Sequence, residues 1–434
     1  MLDYTSIKQL AKQIGSPAKD LLVLAPANDP FYAGVAGRQR EAEWFAEIWH
    51  RFGFSDGVHL RRIHYVLVSQ REEGKPVLKP SDQPYENTTN DWALLARASL
   101  SARYLDLIPL DALVDRRNDE PMIFAPKIDA LNPGVSVTNY APDAAYLIND
   151  FPALPGYSLY GLEPAQDYLV EVWIEKSTQN DWLVPLCSRR GINLVVGIGE
   201  SSEIQSRHLA ERVQETGMPA RIIYMSDFDP AGRSMPVSVA RKLEYYIDKF
   251  DFDVDVTLNP LVLTEEQCQH YDLPRTPIKK GEKRKDKFEE KFGAGATELD
   301  ALEALHPGEM AKLLEQEIDR YLDPTLRERV SEVRWKLNRQ LREIEETVTE
   351  SHQEGIDELT LAYEGIVADL EDWERGAEDL WSTITEEMEE KEPNLEEFEK
   401  PKARPANEPD GFVLFDSKRG DLSQIDAYHE WQRR

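Results

Sequence analysis

Between about residues 167 and 250 the chain alternates strand-like and helix-like runs, and no other feature restricts its fold so strongly. DYLVEVWIEK (167–176) reads as a strand, NDWLVPLCSRRG as a helix stopped by Gly191, and INLVVGIG as a second strand. SSEIQSRHLAERVQETG reads as a helix, ARIIYMSDFD as a third strand, and PAGRSMPVSVARKLEYYIDKF as a helix opened by Pro and Gly. Such a β-α-β-α-β-α series predicts an α/β fold, with a parallel sheet covered by helices and ligand chemistry at the carboxyl ends of its strands.

The acidic residues sit at those ends. Glu175 closes the first strand and Asp227 the third, with Asp229 two residues later. If the two strands are neighbours, three carboxylates converge on one rim of the sheet. Packed that closely they raise one another's pKa unless a cation joins them, and hard oxygen ligands favour Mg²⁺ or Mn²⁺. Such ions serve phosphoryl transfer by neutralising the scissile phosphate and the leaving oxygen. The simpler reading is that the DFD run only caps the following helix, for which Asp before Pro-Ala-Gly is well suited.

The flanks differ in character. Residues 38–52 place Ala42, Phe45, Ile48 and Trp49 on one helical face, and HLRRIHYVLVSQ follows a turn at Ser55, Asp56 and Gly57. Leu94, Leu95, Ala98 and Leu100 suit another helix, and short helices with a strand pair after them describe a helix-turn-helix or winged-helix unit over 1–150. The sheet domain is expected over 160–305. Over 306–390, apolar positions from Val330 to Met388 recur in steps of three and four with one break near His352, a heptad seam for a coiled-coil arm that either pairs with a partner or folds back. Residues 391–434 read as a charged, Pro-rich tail, with linker or disorder to about Asp410.

Composition narrows the partners. The net charge of −30 argues against a protein that coats nucleic acid or a membrane surface, so any nucleic-acid contact is local. Acidity concentrates late: residues 343–399 hold 22 acidic and two basic side chains, either a solvated helix face or a surface for docking a partner or mimicking DNA. The opposite bias occurs once, where Arg275, Lys279, Lys280, Lys283, Arg284, Lys285 and Lys287 fall within the segment 275–291. That segment is either a solvated loop or an anchor for a phosphate backbone. No apolar run is long enough to span a bilayer, and MLDYTSIKQLAKQIG lacks a secretory apolar core; a cytoplasmic protein is expected. Cys187 and Cys268 lack a CxxC partner and read as buried apolar side chains.

WIEK (173–176), GIGESS (197–202) and SDFDPAG (226–232) resemble the TOPRIM signature: a Glu after the first strand, a glycine turn after the second, and Asp-x-Asp with Pro-x-Gly after the third. LRRIHY (60–65) resembles the Arg-x-x-Tyr-Tyr element in the winged-helix domain of type IIB topoisomerase A subunits and the related meiotic double-strand-break protein. Similar pairings occur in nuclease subunits of bacterial plasmid-defence complexes. The resemblance covers about 35–255. It implies Glu175 as general acid/base or metal ligand, Asp227 and Asp229 as Mg²⁺ ligands, Tyr65 as attacking nucleophile and Arg61 as holder of the scissile phosphate. Arg62 and Lys176 join the basic segment as candidate DNA contacts. It further implies a homodimer in which the metal site of one subunit works with the tyrosine region of the other.

A phenol needs a nearby cation or base to attack at neutral pH, and Arg61, Arg62 or His64 could supply it. His64 stands where the family has its first Tyr, which leaves hydrolysis by activated water open. Tyr65 also reads as a core aromatic. The expected activity is therefore Mg²⁺-dependent cutting or nicking of duplex DNA, in defence or plasmid maintenance. Tyrosine transesterification with a partner ATPase and a non-catalytic DNA-binding scaffold are the alternatives. The chain has no G-x-x-x-x-G-K-[ST] loop, so ATP chemistry by that route would come from a separate subunit. GIGESS lacks the third glycine of a dinucleotide fingerprint, and His59 and His64 lack further zinc partners in sequence. Glu298 and Asp300, in GATELDALEAL, read as extra ligands or as a helix start. That stretch resembles an element found after TOPRIM-type cores in bacterial mobile-element proteins.

Overall fold

A computed structural model describes residues 4–55, 57–113, 120–126, 133–140, 151–197, 203–365, 370–407 and 411–434. Four helices come first: α1 (Tyr4–Ile14), α2 (Ala36–Arg51), α3 (Leu60–Glu72) and α4 (Thr89–Tyr104). Strands β1 (Gly134–Thr138) and β2 (Gly156–Tyr160) precede the alternating region. That region runs β3 (Leu169–Ile174), α5 (Asn180–Arg190), β4 (Asn193–Val196), α6 (Glu203–Thr216), β5 (Ala220–Met225), α7 (Pro230–Phe250) and β6 (Val256–Val262). Short helices α8 (Glu265–His270), α9 (Lys285–Phe292) and α10 (Leu299–Leu305) lead to α11 (Glu309–Tyr321). Then come α12 (Leu326–Ser351), α13 (Gln353–Gly365), α14 (Leu370–Glu390), β7 (Phe415–Asp416) and α15 (Asp421–Arg433).

The chain divides into two compact units. The first holds 1–126, 167–321 and 407–434, and the second holds 127–166 and 322–406. In the first, the sheet order is β4-β3-β5-β6-β7, parallel except for β7. Every residue of β3, β4 and β5 is buried, as a parallel sheet covered on both faces requires. Gly191 ends α5 at φ +66°, a left-handed conformation that costs glycine least. Glu171 buries a charge inside the sheet, receiving Nε and Nη2 of Arg212 at 2.9 and 2.8 Å, with Asn193 and Trp173 donating at 3.0 Å each. Helices α2, α3 and α4 pack around Phe45, Ile63, Leu67 and Leu95, and the expected face of α2 is the buried one.

Two readings of the sequence change here. The strand pair after the first helices, β1 and β2, belongs to the second unit; α3 and α4 are joined instead by a turn with a single bridge between Leu78 and Pro84. Residues 411–434 are not a tail. β7 pairs with β6, and Ile425, Tyr428 and Trp431 of α15 enter the core of the first unit. Arg241, buried in α7, pairs with Asp29 at 3.4 Å and Glu244 at 2.9 Å, and the Tyr428 hydroxyl donates to Glu244.

In the second unit, heptad positions among the described residues pack against one another within the chain. Val348, Ile356, Ile384 and Met388 form one cluster, and Trp373, Ala377 and Trp381 form another with Leu359 and Phe151. The arm therefore folds back on itself, α14 lying against α12 and α13. The β1/β2 hairpin caps it: Tyr157 donates its backbone N–H to Glu345 and its hydroxyl to the Met388 carbonyl, both at 2.6 Å. Leu395 and Phe398, in the stretch expected to be disordered, pack beside Leu337 and Leu341. Among the described residues, no helix is long and apolar enough to cross a membrane.

Candidate active site

β3 and β5 are hydrogen-bonded neighbours with Ile174 opposite Met225, so the residues after each strand leave the sheet at the same rim. Glu175 is the first residue past β3, and its N–H still reaches the Met225 carbonyl at 3.3 Å. The loop after β5 is strapped from two sides. Ser226 donates its N–H to Val262, and Phe228 and Thr297 exchange backbone hydrogen bonds at 2.8 and 3.0 Å. Asp229 caps α7, accepting the Gly232 N–H at 2.6 Å. A Cβ on Gly232 would lie 2.1 Å from the Asp227 carbonyl oxygen, so the turn closes only around glycine. The helix-cap reading of DFD is therefore correct for Asp229, and the cap places it on the same rim.

Asp227 is almost fully buried. Its Oδ1 accepts the Leu299 N–H at 2.8 Å, and its Oδ2 accepts from the Lys176 ammonium at 2.8 Å. Lys176 also reaches Glu298 at 3.1 Å. Burial pushes the Glu175 carboxyl up to about 7, Asp227 and Asp229 add to the rise, and Lys176 opposes it. Burial likewise raises Asp229, against the pull of the Gly232 N–H. Glu175 Oε2 is buried without a hydrogen-bond partner among the described residues.

The segment Thr297–Asp300 acts as a brace for this rim. Thr297 pairs with Phe228, Glu298 holds Lys176, Leu299 holds Asp227, and Asp300 accepts from Thr178 and Gln179 in the loop after β3. One short stretch thus fastens both acidic loops, and Glu298 and Asp300 are occupied by these contacts at the start of α10. No periodicity signals such a role, because each contact is between residues far apart in sequence.

Glu175, Asp227 and Asp229 fit a hard divalent ion in donor type and charge, and the orphaned Glu175 oxygen is the kind of atom a cation would satisfy. Among the described residues, however, no three His, Cys, Asp or Glu side chains are gathered tightly enough to hold a metal as they stand. The positive charge at Asp227 is the Lys176 ammonium.

Tyr65 is not a core residue: it is 62% exposed on α3. It lines an open cleft of about 410 Å³ with Arg61, His64, Asn87, Thr88, Thr89 and Trp92, none of them a member of the acidic rim. His64 is buried beneath it, bonded to the Tyr85 hydroxyl at 2.7 Å and Asn87 at 3.2 Å, while His59 caps α3 through the Arg61 N–H. Arg61 and Arg62 are exposed.

The basic segment splits in two. Arg275 donates to the Gly293 and Gly295 carbonyls and lies over the Phe228 ring, and Arg284 is held by Glu282 and Ser234. Lys285 leans toward Glu289 at 3.8 Å. Lys279, Lys280, Lys283 and Lys287 are exposed and make no ion pair among the described residues. Lys176, named with them from sequence, spends its charge inside the rim.

Gly197 is fixed to β3 through the Ile174 carbonyl at 2.9 Å; residues 198–202 of GIGESS lie outside the described residues. Cys187 and Cys268 are free and buried, as expected. Sequence reasoning also missed Arg233, one turn into α7, which stacks 3.8 Å from the Trp431 ring and exchanges hydrogen bonds with its backbone and indole. Only a signal linking positions about two hundred residues apart could have revealed that pair. No protein-family model matches this sequence, and no curated protein matches it either.

Proposed function

We propose that the chain is a Mg²⁺- or Mn²⁺-dependent endonuclease that cuts or nicks duplex DNA. The observation that carries this reading is the convergence of Glu175, Asp227 and Asp229 at the ends of adjacent parallel strands, with Glu175 near pH 7. A carboxyl poised there can take a proton from an attacking water and return it to a leaving oxygen, the behaviour expected of a general acid/base. Asp227 and Asp229 would hold the ion, which when bound neutralises charge on the scissile phosphate and the leaving oxygen. Asp229 is anchored by its bond to Gly232 and Asp227 by its bond to Leu299, and their side chains would close the remaining distance to the ion. The exposed Lys279, Lys280, Lys283 and Lys287 would anchor the duplex backbone, each neutralised phosphate releasing counterions. A winged-helix unit beside a TOPRIM domain, a homodimer, a separate ATPase subunit, a cytoplasmic location and a role in defence or plasmid maintenance belong to the same reading.

Supercoiled plasmid incubated with Mg²⁺ or Mn²⁺ tests it. Nicked or linear product that disappears in Glu175→Ala supports the endonuclease. DNA binding without metal-dependent cleavage, unchanged when Asp227 and Asp229 become Ala, would leave a scaffold subunit instead.

A second reading is favoured by one observation, the exposure of Tyr65 in a cleft it shares with Arg61. It makes Tyr65 the nucleophile, leaving a phosphotyrosyl bond to DNA. Denaturant trapping separates the two: a covalent adduct lost in Tyr65→Phe means transesterification, and cleavage unaffected by that substitution means hydrolysis.

A further inference from the structure

We propose that Lys176 is the resident counter-cation of the acidic rim, an ammonium that a divalent ion must displace to bind. The proposal rests on the reading of the rim as a divalent-ion site and describes how that site is kept without the ion. Lys176 Nζ lies 2.8 Å from Asp227 Oδ2 and 3.1 Å from Glu298 Oε2. The two oxygens of Asp227 are therefore held differently. Oδ1 is fixed by the Leu299 backbone and cannot be released without moving the brace, whereas Oδ2 is held, among the described residues, by a side chain that can swing.

The geometry also gives Lys176 a place to go. Its backbone is extended just past β3, its side chain is 25% exposed, and the Glu298 side chain is 54% exposed at the outer edge of the rim. The ammonium can leave Asp227 and keep Glu298, so the exchange moves the lysine head group and the carboxylates that close on the ion while the strands and the brace stay in place. Meanwhile Lys176 supplies the positive charge that lets Asp227 stand beside Glu175 and Asp229 in a buried setting. Ion binding is then a competition in which the lysine sets how much free metal the site needs.

Manganese binding to the full-length chain, followed by the electron-paramagnetic-resonance signal of free Mn²⁺ at pH 8, tests this directly. Lys176→Met removes the competitor and is expected to bind Mn²⁺ about tenfold more tightly than wild type. Its melting temperature without metal is expected to fall, and to rise further on adding Mn²⁺ than that of wild type. Lys176→Arg retains the charge and is expected to bind no more tightly than wild type. Wild type that binds Mn²⁺ while Lys176→Met binds equally or more weakly would overturn the exchange and leave the metal site standing. Absence of Mn²⁺ binding to wild type and to both variants would remove the metal site itself and the exchange with it. Should Lys176→Met fail to fold, tighter binding by Lys176→Arg overturns the proposal by itself.

Discussion

Replacing Glu175 by Gln should change how stability depends on pH. In the fold this carboxyl titrates at about 7, pushed there by burial first and by Asp227 and Asp229 next, against an ordinary value of 4.5. Over the interval between those values the folded chain holds a proton that the unfolded chain has released. The stability tied to the neutral carboxyl is therefore complete below about pH 4.5 and is lost as pH rises through about 7. At about 1.4 kcal/mol per pH unit, the gap amounts to about 3 kcal/mol. Glutamine stays neutral and escapes that loss. Without metal, Glu175→Gln should gain about 3 kcal/mol on wild type between pH 4.5 and pH 8.5, or about 6 °C in melting temperature at roughly 2 °C per kcal/mol. Thermal melts in EDTA across that range measure it. Any bond made or lost by the new amide gives a constant offset and does not affect the slope. Parallel profiles for the two proteins would mean that Glu175 is an ordinary solvated carboxylate and that the three acids do not share a rim.

Other perturbations probe the support around the site. Glu171→Ala leaves Arg212 with an uncompensated charge against the sheet and should cost about 3–5 kcal/mol in urea unfolding; a loss under 1 kcal/mol would refute the buried pairing. Gly232→Ala forces a methyl group against the Asp227 carbonyl, so it should both lower the melting temperature and weaken Mn²⁺ binding at least tenfold, by moving Asp227. Normal metal affinity in a folded Gly232→Ala would contradict the close approach. Trp381→Ala empties the centre of the helical unit and should destabilise that unit by about 3–5 kcal/mol, read as a separate, earlier melting transition. A single transition at the wild-type temperature would argue against the internal packing of the heptad seam.

The alternating region was legible because its signals are local. Continuous apolar runs such as LVEVWI and ARIIYM can be strands only if buried on both faces, and Gly191 and Asp229 mark helix ends by their own chemistry. The carboxylate rim followed from parallel topology, since adjacent strands expose the residues after them at one edge. β6 was not read as a strand, because VTLNPLV carries Asn259 and Pro260. The C-terminal helix was hidden by the preceding Pro-rich stretch, whose composition reads as linker while Leu395 and Phe398 still pack. The heptad pattern indicated helix surfaces that need covering, but periodicity does not say whether the cover is a partner or the next helix. Lys176 looked like a DNA contact because a cation beside an acidic motif is ambiguous until its partners are known, and Glu298 lies more than a hundred residues away.

The staple between Arg233 and Trp431 has a consequence for synthesis. The ribosome releases the acidic loops first, and the indole and carbonyl that fix the first turn of α7, together with β7 and Tyr428, emerge about two hundred residues later. A nascent or prematurely stopped chain therefore carries the three carboxylates on a sheet whose outer edge and covering helix are missing. Settling of the first unit thus waits for residues 411–434, and a chain stopped before them should lack a complete core.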